Sequence, residues 1–401
     1  MTSENIKYFN FIKFLFFPIV IISFVGISFP QEQINTATEK LLNVSENMTA
    51  KDITEISSLL ESGANVNVKD KSGASPLYIA SQEGLTEIVK LLLAAKADVN
   101  IATNKGATPL FIASGKGYAE IVKLFLDANV EVNTIADKNM TPLAMASQEG
   151  HANVVKLLLA AKADVNIATD KGATPLYIAS EKGYTEIVKL LLDANAYVDF
   201  ITKEGVTPLF IASQQGYTKI AKLLLQANAD VNATRISDGV TPLYLAAQNG
   251  KVKIVKLLLG ANADANIVDK KAGASILYVA TQQGYIEIVK MLIDAKADVN
   301  NGRKEGATPL YIASDKGYID IVRLLLKKKP DVNAADIYGG TPLLMASQGG
   351  HTEIVKLLLI AGANVNTRAN FNGTEYTPLT VAKDGGYTQI VELLKEYGAK
   401  N

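Results

Sequence analysis

Apolar and polar positions fall into one pattern that repeats from about Thr38 to the C-terminus. The copy from Asp170 to Thr202 displays it. Thr174 can cap a helix through its hydroxyl, and Pro175 can take the first helical position, where a missing N–H costs nothing. Leu176, Ile178 and Ala179 then supply a short apolar face, and Gly183 turns the chain into a second helix starting near Thr185. Ile187, Val188, Leu190, Leu191 and Leu192 leave only Glu186, Lys189 and Asp193 for solvent, so this helix must be covered on more than one side. Asn195, which tolerates the left-handed region, ends it. The extended Tyr197–Asp199 and the following Lys203–Gly205 predict a hairpin-like loop.

Thr174-Pro175-Leu176 recurs nine times in the chain, from Ser75-Pro76-Leu77 to Thr377-Pro378-Leu379, and the spacing is 33 residues, stretched to 34 twice and to 36 once. One such unit buries too little to fold alone, so the units must be stacked, with end units polar on their outer side. Self-similarity at this period with a Thr-Pro-Leu-x-x-Ala core resembles the ankyrin repeat. The resemblance implies an all-α solenoid of about eleven helix-turn-helix units with short hairpin-like loops. Residues 38–401 are expected to form it, with 38–70 as an N-terminal capping repeat, 71–370 as nine internal repeats and 371–401 as a closing cap. Residues 31–37 read as a polar linker.

The first thirty residues differ. Lys7 and Lys13 precede Phe14–Phe29, a stretch without charge, and the chain turns polar at Gln31. That layout fits a signal peptide cleaved near Gly26 and Ser28, or a signal-anchor counted from Phe9. Both place the repeats across a membrane, exported or tethered. Membrane contact is then expected only through this segment.

Composition narrows the function further. Forty basic and forty acidic residues leave no net charge to attract nucleic acid, and there is no cysteine for a thiolate, disulfide or zinc site. The only histidines, His151 and His351, occupy the same repeat position two hundred residues apart and read as structural. No phosphate loop, zinc-protease motif or calcium loop appears. We therefore expect no enzyme, no cofactor and no metal. Glu87/Lys90, Glu120/Lys123, Glu186/Lys189, Glu287/Lys290 and Glu353/Lys356 predict ion pairs within single helices.

Two columns recur. Tyr78, Phe111, Tyr177, Phe210, Tyr244, Tyr278 and Tyr311 follow the core Leu, where the ankyrin pattern typically has His. They predict an aromatic interlayer ladder or, alternatively, an aromatic-lined inner groove. Tyr118, His151, Tyr184, Tyr217, Tyr285, Tyr318, His351 and Tyr387 follow the mid-unit glycine and should brace the helix turn.

Among near-identical copies, the varying positions are candidates for partner contact. In the ankyrin family the residues before the mid-unit glycine and the loop tips often contact proteins. Here these include Glu181, Lys182, Gln214, Gln215, Gln248, Asn249, Gln282 and Gln283, with loop-tip residues Lys203, Glu204, Ser237 and Asp238. The units from Lys203 to Arg303 depart most: their loops are lengthened, and Lys219/Lys222 and Lys253/Lys256 replace acid–base pairs with like charges. The expected function is a monomeric, non-enzymatic scaffold binding one or more proteins on its concave face and loop tips. The alternatives are a small-ligand or glycan binder using the aromatic column, and a structural spacer at the envelope.

Overall fold

The computed structural model describes residues 31–43 and 50–400. The apolar stretch within residues 1–30 lies outside the described residues. Among those described, 22 helices form eleven consecutive pairs. In chain order they are α1 (Gln31–Lys40) and α2 (Ala50–Glu61), α3 (Pro76–Gln82) and α4 (Thr86–Ala94), α5 (Pro109–Lys116) and α6 (Ala119–Asp127), and α7 (Pro142–Glu149) and α8 (Ala152–Ala160). Next come α9 (Pro175–Lys182) and α10 (Thr185–Asp193), α11 (Pro208–Gln215) and α12 (Thr218–Gln226), α13 (Pro242–Gln248) and α14 (Val252–Gly260), and α15 (Ile276–Gln282) and α16 (Ile286–Asp294). The last are α17 (Pro309–Asp315) and α18 (Ile319–Leu326), α19 (Pro342–Gln348) and α20 (Thr352–Ile360), and α21 (Pro378–Asp384) and α22 (Thr388–Glu396). Residues 31–37, expected as a linker, are helical. Ala37 and Leu41, buried in the common core, draw α1 onto the stack.

The local rules read from the sequence are realised in side-chain detail. Each first helix from α3 onward starts at a Ser or Thr whose hydroxyl accepts an N–H three residues on, as from Tyr177 to Thr174. Ser275 keeps this bond with Tyr278, although Ile276 stands where its siblings have proline. Asn195 ends α10 at φ 60°.

First helices of adjacent units approach more closely than second helices do. The reason is in their composition. A fully buried alanine recurs at the centre of each first helix, as at Ala179, Ala212 and Ala246, whereas the second helices meet through Leu191, Leu224 and Leu258. The stack therefore bends toward the side carrying the first helices and hairpins. That side is concave.

Three ladders tie the layers together. At the loop tips, the N–H of Lys203 donates to the carbonyl of Lys171, that of Lys270 to Asp238, and that of Ile337 to Glu305, the same link repeating unit after unit. Below the tips, a side-chain amide oxygen accepts the N–H of the residue 31 positions on, as from Asp164 to Asn133 and from Tyr197 to Asn166. The third ladder is the ring column. Gly150, at φ 83°, has the Tyr184 ring against it, and a Cβ there would come within 2.8 Å of the ring. His151 and His351 belong to this column and lie 3.0 Å and 3.2 Å through Nε2 from the carbonyls of Gly115 and Asp315. The rings thus brace the turn of the preceding unit.

The amide ladder has one carboxylate, Asp199, which accepts from the N–H of Asp230 at 3.1 Å. Desolvation, together with the Asp230 carboxylate, holds its pKa above the ordinary 3.8. A carboxyl raised in the folded chain favours folding when protonated, and that contribution is lost as pH rises through the folded value. Asp199→Asn is therefore expected to stabilise the fold at neutral pH by less than about 1 kcal/mol, since the contact is exposed and screened. The gain should vanish when the pH is lowered below the ordinary carboxylate value, which urea titrations at neutral and acid pH can check.

Two expectations need correction. Of the five predicted intrahelical ion pairs, only Lys90–Glu87, at 2.8 Å, forms among the described residues. Three of the other glutamates are taken by bridges between layers, Lys90–Glu120 at 3.2 Å, Lys156–Glu186 at 2.7 Å and Arg323–Glu353 at 3.3 Å, and Glu287 and Lys290 make no ion pair among the described residues. Stacking brings the lysine of one second helix beside the glutamate of the next, a contact that one helix considered alone cannot reveal. The loops are also mostly turns. Among the described residues strand pairing is confined to β1 (Ala369–Phe371) and β2 (Thr374–Tyr376), antiparallel, with isolated bridges at Ala136–Met140 and Val268–Ser275. The hairpin falls where the spacing reaches 36, and Asn372-Gly373, both at positive φ, make its turn.

Candidate functional site

The two units with 34-residue spacing create the most distinctive feature of the concave side. Each carries one extra loop residue, and the hairpins beginning at Arg235 and Asp269 bracket a cleft of about 340 Å3 against α13 and α15. Its charged lining is Arg235, Asp238, Asp269, Lys271 and Arg303, and Tyr244 and Tyr278 contribute their rings. Gln248 and Gln282 stand at the helix ends beside it.

A single register builds this lining. The residue 25 positions after each aromatic of the first column opens the next hairpin. There, Tyr244 donates its hydroxyl to Asp269 at 3.3 Å, and Tyr311 does the same to Asp336 at 3.0 Å. Arg235 lies 5.3 Å over the Phe210 ring, and Tyr278 and Arg303, at the same offset, line the cleft together. The aromatic column is therefore an interlayer device, but its partners are hairpin side chains rather than successive rings. Phe210, Tyr244 and Tyr278 are buried, which leaves no open ring face among them on which a sugar could stack.

The carboxylates in the cleft have assigned work. Asp269 accepts the N–H groups of Lys271, Ala272 and Ala274 at 2.7–3.0 Å. Burial pushes its pKa up, but these bonds and the Tyr244 hydroxyl outweigh that and leave it below the ordinary value. Asp238 meets Arg235 through both carboxylate oxygens and accepts the N–H of Val240. The Arg235 hydrogen bond holds its carboxyl low. Arg303 donates to Glu305, and that bond, with the nearby Tyr278, raises its basicity. Among these cleft residues, Lys271 has no ion pair among the described residues.

The residues expected to meet a partner divide by this geometry. Gln215, Gln248, Asn249, Gln282 and Gln283 are exposed and Gln214 half-buried, at the concave-side helix ends of three adjacent layers. Their side chains make no hydrogen bond among the described residues, whereas Gln82 and Gln148 in other units donate to Glu83 and Glu149. Glu181, Lys182, Lys203, Glu204 and Ser237 are exposed as well, but lie outside the cleft lining. Asp238 is buried and occupied by Arg235. Its carboxylate supports the loop rather than standing free at the tip. Arg235, Asp269, Lys271 and Arg303 were not legible as one group. The 25-residue offset between the column and the hairpin start was the available signal.

Among the described residues no cluster of carboxylates or histidines could hold a metal ion. A family model described as ankyrin repeats, three copies, matches residues 47–136, 95–169, 117–202, 143–235, 195–269, 243–336, 295–369 and 335–401 in overlapping stretches. No curated protein matches the chain.

Proposed function

The chain belongs to the ankyrin-repeat family, whose repeats generally mediate protein–protein interaction, and on that premise we propose that its partner protein binds across the concave ends of α11, α13 and α15. The observation carrying this reading is the row of six uncommitted amides from Gln214 to Gln283, beside a cleft with Lys271 at its edge. A buried backbone held by three ladders keeps those groups in place before contact, so little ordering entropy is lost on association. The reading is non-enzymatic, with one or more protein partners and no cofactor. We also propose that the chain is exported or tethered through its N-terminal apolar segment. Recovery of the repeats in the secreted, periplasmic or membrane fraction, free of a cytosolic marker, supports export or tethering; recovery together with the cytosolic marker would contradict it.

The binding surface is tested by affinity capture from the native source with the full chain and with a copy in which Gln214, Gln215, Gln248, Asn249, Gln282 and Gln283 are changed to Glu. Circular dichroism and the unfolding midpoint establish that the copy is folded. The expected result is a protein retained by the natural chain and reduced at least about tenfold on the substituted one. Equal retention would place the contact elsewhere.

A further inference from the structure

The opposite side of the same units carries a feature that the concave-face reading leaves unused. Between α12 and α14 lies a groove of about 560 Å3, lined by Leu225 and Leu257 and bordered by Lys222, Lys253 and Lys256. Gly260 ends α14 where other second helices end in Ala160, Asp193, Gln226 or Asp294. A Cβ built on it meets nothing within 4 Å. The missing side chain leaves the groove end open.

The charge around the groove is equally local. The second residue of these helices is Glu87, Glu120, Glu186 and Glu287 in other units, but Lys219 and Lys253 here. Elsewhere that glutamate takes the bridge from the preceding layer's lysine, as Glu120 and Glu186 do. Lys219, Lys222, Lys253 and Lys256 are all exposed and make no ion pair among the described residues. An apolar floor is thus flanked on both helices by cations that the fold does not neutralise.

We infer that this outer groove is a second docking surface, for an acidic amphipathic helix of a partner protein. Adjacent helices about 10 Å apart offer a channel suited to leucines spaced three and four residues apart, and the lysines on both walls meet carboxylates on either side of that apolar stripe. A flat anionic bilayer would engage the lysines but leave the recessed leucines unused. Charge complementarity together with an apolar floor therefore selects the helix.

Two variants test the inference with little risk to folding, because each restores what a sibling unit already has. Lys219→Glu with Lys253→Glu returns the acids of the other units, and Gly260→Gln gives α14 the terminal residue of α12. Binding of the full chain to a fluorescent, helix-stapled peptide of about four turns, with leucines on one face and glutamates beside them, is followed by anisotropy at low and high salt. The double reversal should weaken binding about tenfold or more and remove most of its salt dependence, and Gly260→Gln should weaken it severalfold without changing that dependence. Equal affinity for a peptide with serines in place of the leucines would overturn the groove, leaving only diffuse attraction. Binding to phosphatidylserine vesicles that is lost in the double reversal, with no peptide binding, would assign the lysines to a membrane and overturn the inference.

Discussion

Phe125→Ala is expected to cost about 3–5 kcal/mol of stability and to divide one cooperative unfolding transition into two. Phe125 lies in α6, is fully buried, and occupies the position held by Leu92 and Leu158 in the adjacent units. Its ring fills space shared with α4 and α8, the helices against which α6 packs. Removing it leaves a cavity on both faces of one layer. In a linear stack each unit is stabilised by its two neighbours, so a weakened layer uncouples the units before it from those after it. Phe125→Leu, which restores the residue of the other units, should cost less than about 1.5 kcal/mol and keep a single transition. Denaturant unfolding of the three chains, monitored by circular dichroism and by hydrogen exchange, distinguishes these outcomes. A single transition for Phe125→Ala with a loss below about 1 kcal/mol would show that the layer tolerates the cavity.

Asp269→Ala should destabilise by about 3 kcal/mol and open the concave cleft. Its carboxylate gathers the N–H groups of three loop residues and the Tyr244 hydroxyl, and Asp269 itself is buried. Alanine strands those donors. Asparagine retains one oxygen for Lys271 and Ala272 but turns an amide NH2 toward Ala274 and Tyr244, so Asp269→Asn should recover only part of the loss. The pKa values of Asp269 and Asp238 are both held below the ordinary 3.8. Groups lowered in the folded chain contribute stability above the unfolded value and lose it as pH falls through the folded one. The acid limb of the natural protein's stability should accordingly begin near pH 4 and be shallower in Asp269→Ala. An unchanged midpoint in Asp269→Ala would mean that water replaces the carboxylate.

The contrast between these two sites explains how much of the molecule was readable in advance. Everything within one unit follows from neighbouring residues: the Thr174 cap, the Gly183 turn, the Asn195 stop and the apolar α10 are local physics, and α9 and α10 appear where those signals place them. Contacts between units depend on the offset at which layers meet. Glu186 meets Lys156 of the preceding layer instead of the intrahelical Lys189, and Tyr244 finds Asp269, because stacking sets offsets of 30 and 25 residues. The unusual units were legible by their lengthened loops and lysine substitutions. That the loops would enclose a polar cleft on one face, while the lysines bordered an apolar groove on the other, required the coordinates.

A partner protein seated on the concave ends of α11, α13 and α15 should be trapped there by site-specific photo-crosslinking. A photoreactive residue is placed at Gln248, and in a second chain at Lys123 on the outer face of α6, well away from both grooves. Each chain is irradiated in an extract of the native source. The account predicts a discrete covalent adduct from position 248 that is absent from position 123 and lost when the surrounding amides are changed to Glu. Adducts formed equally from both positions, or from position 123 alone, would contradict it.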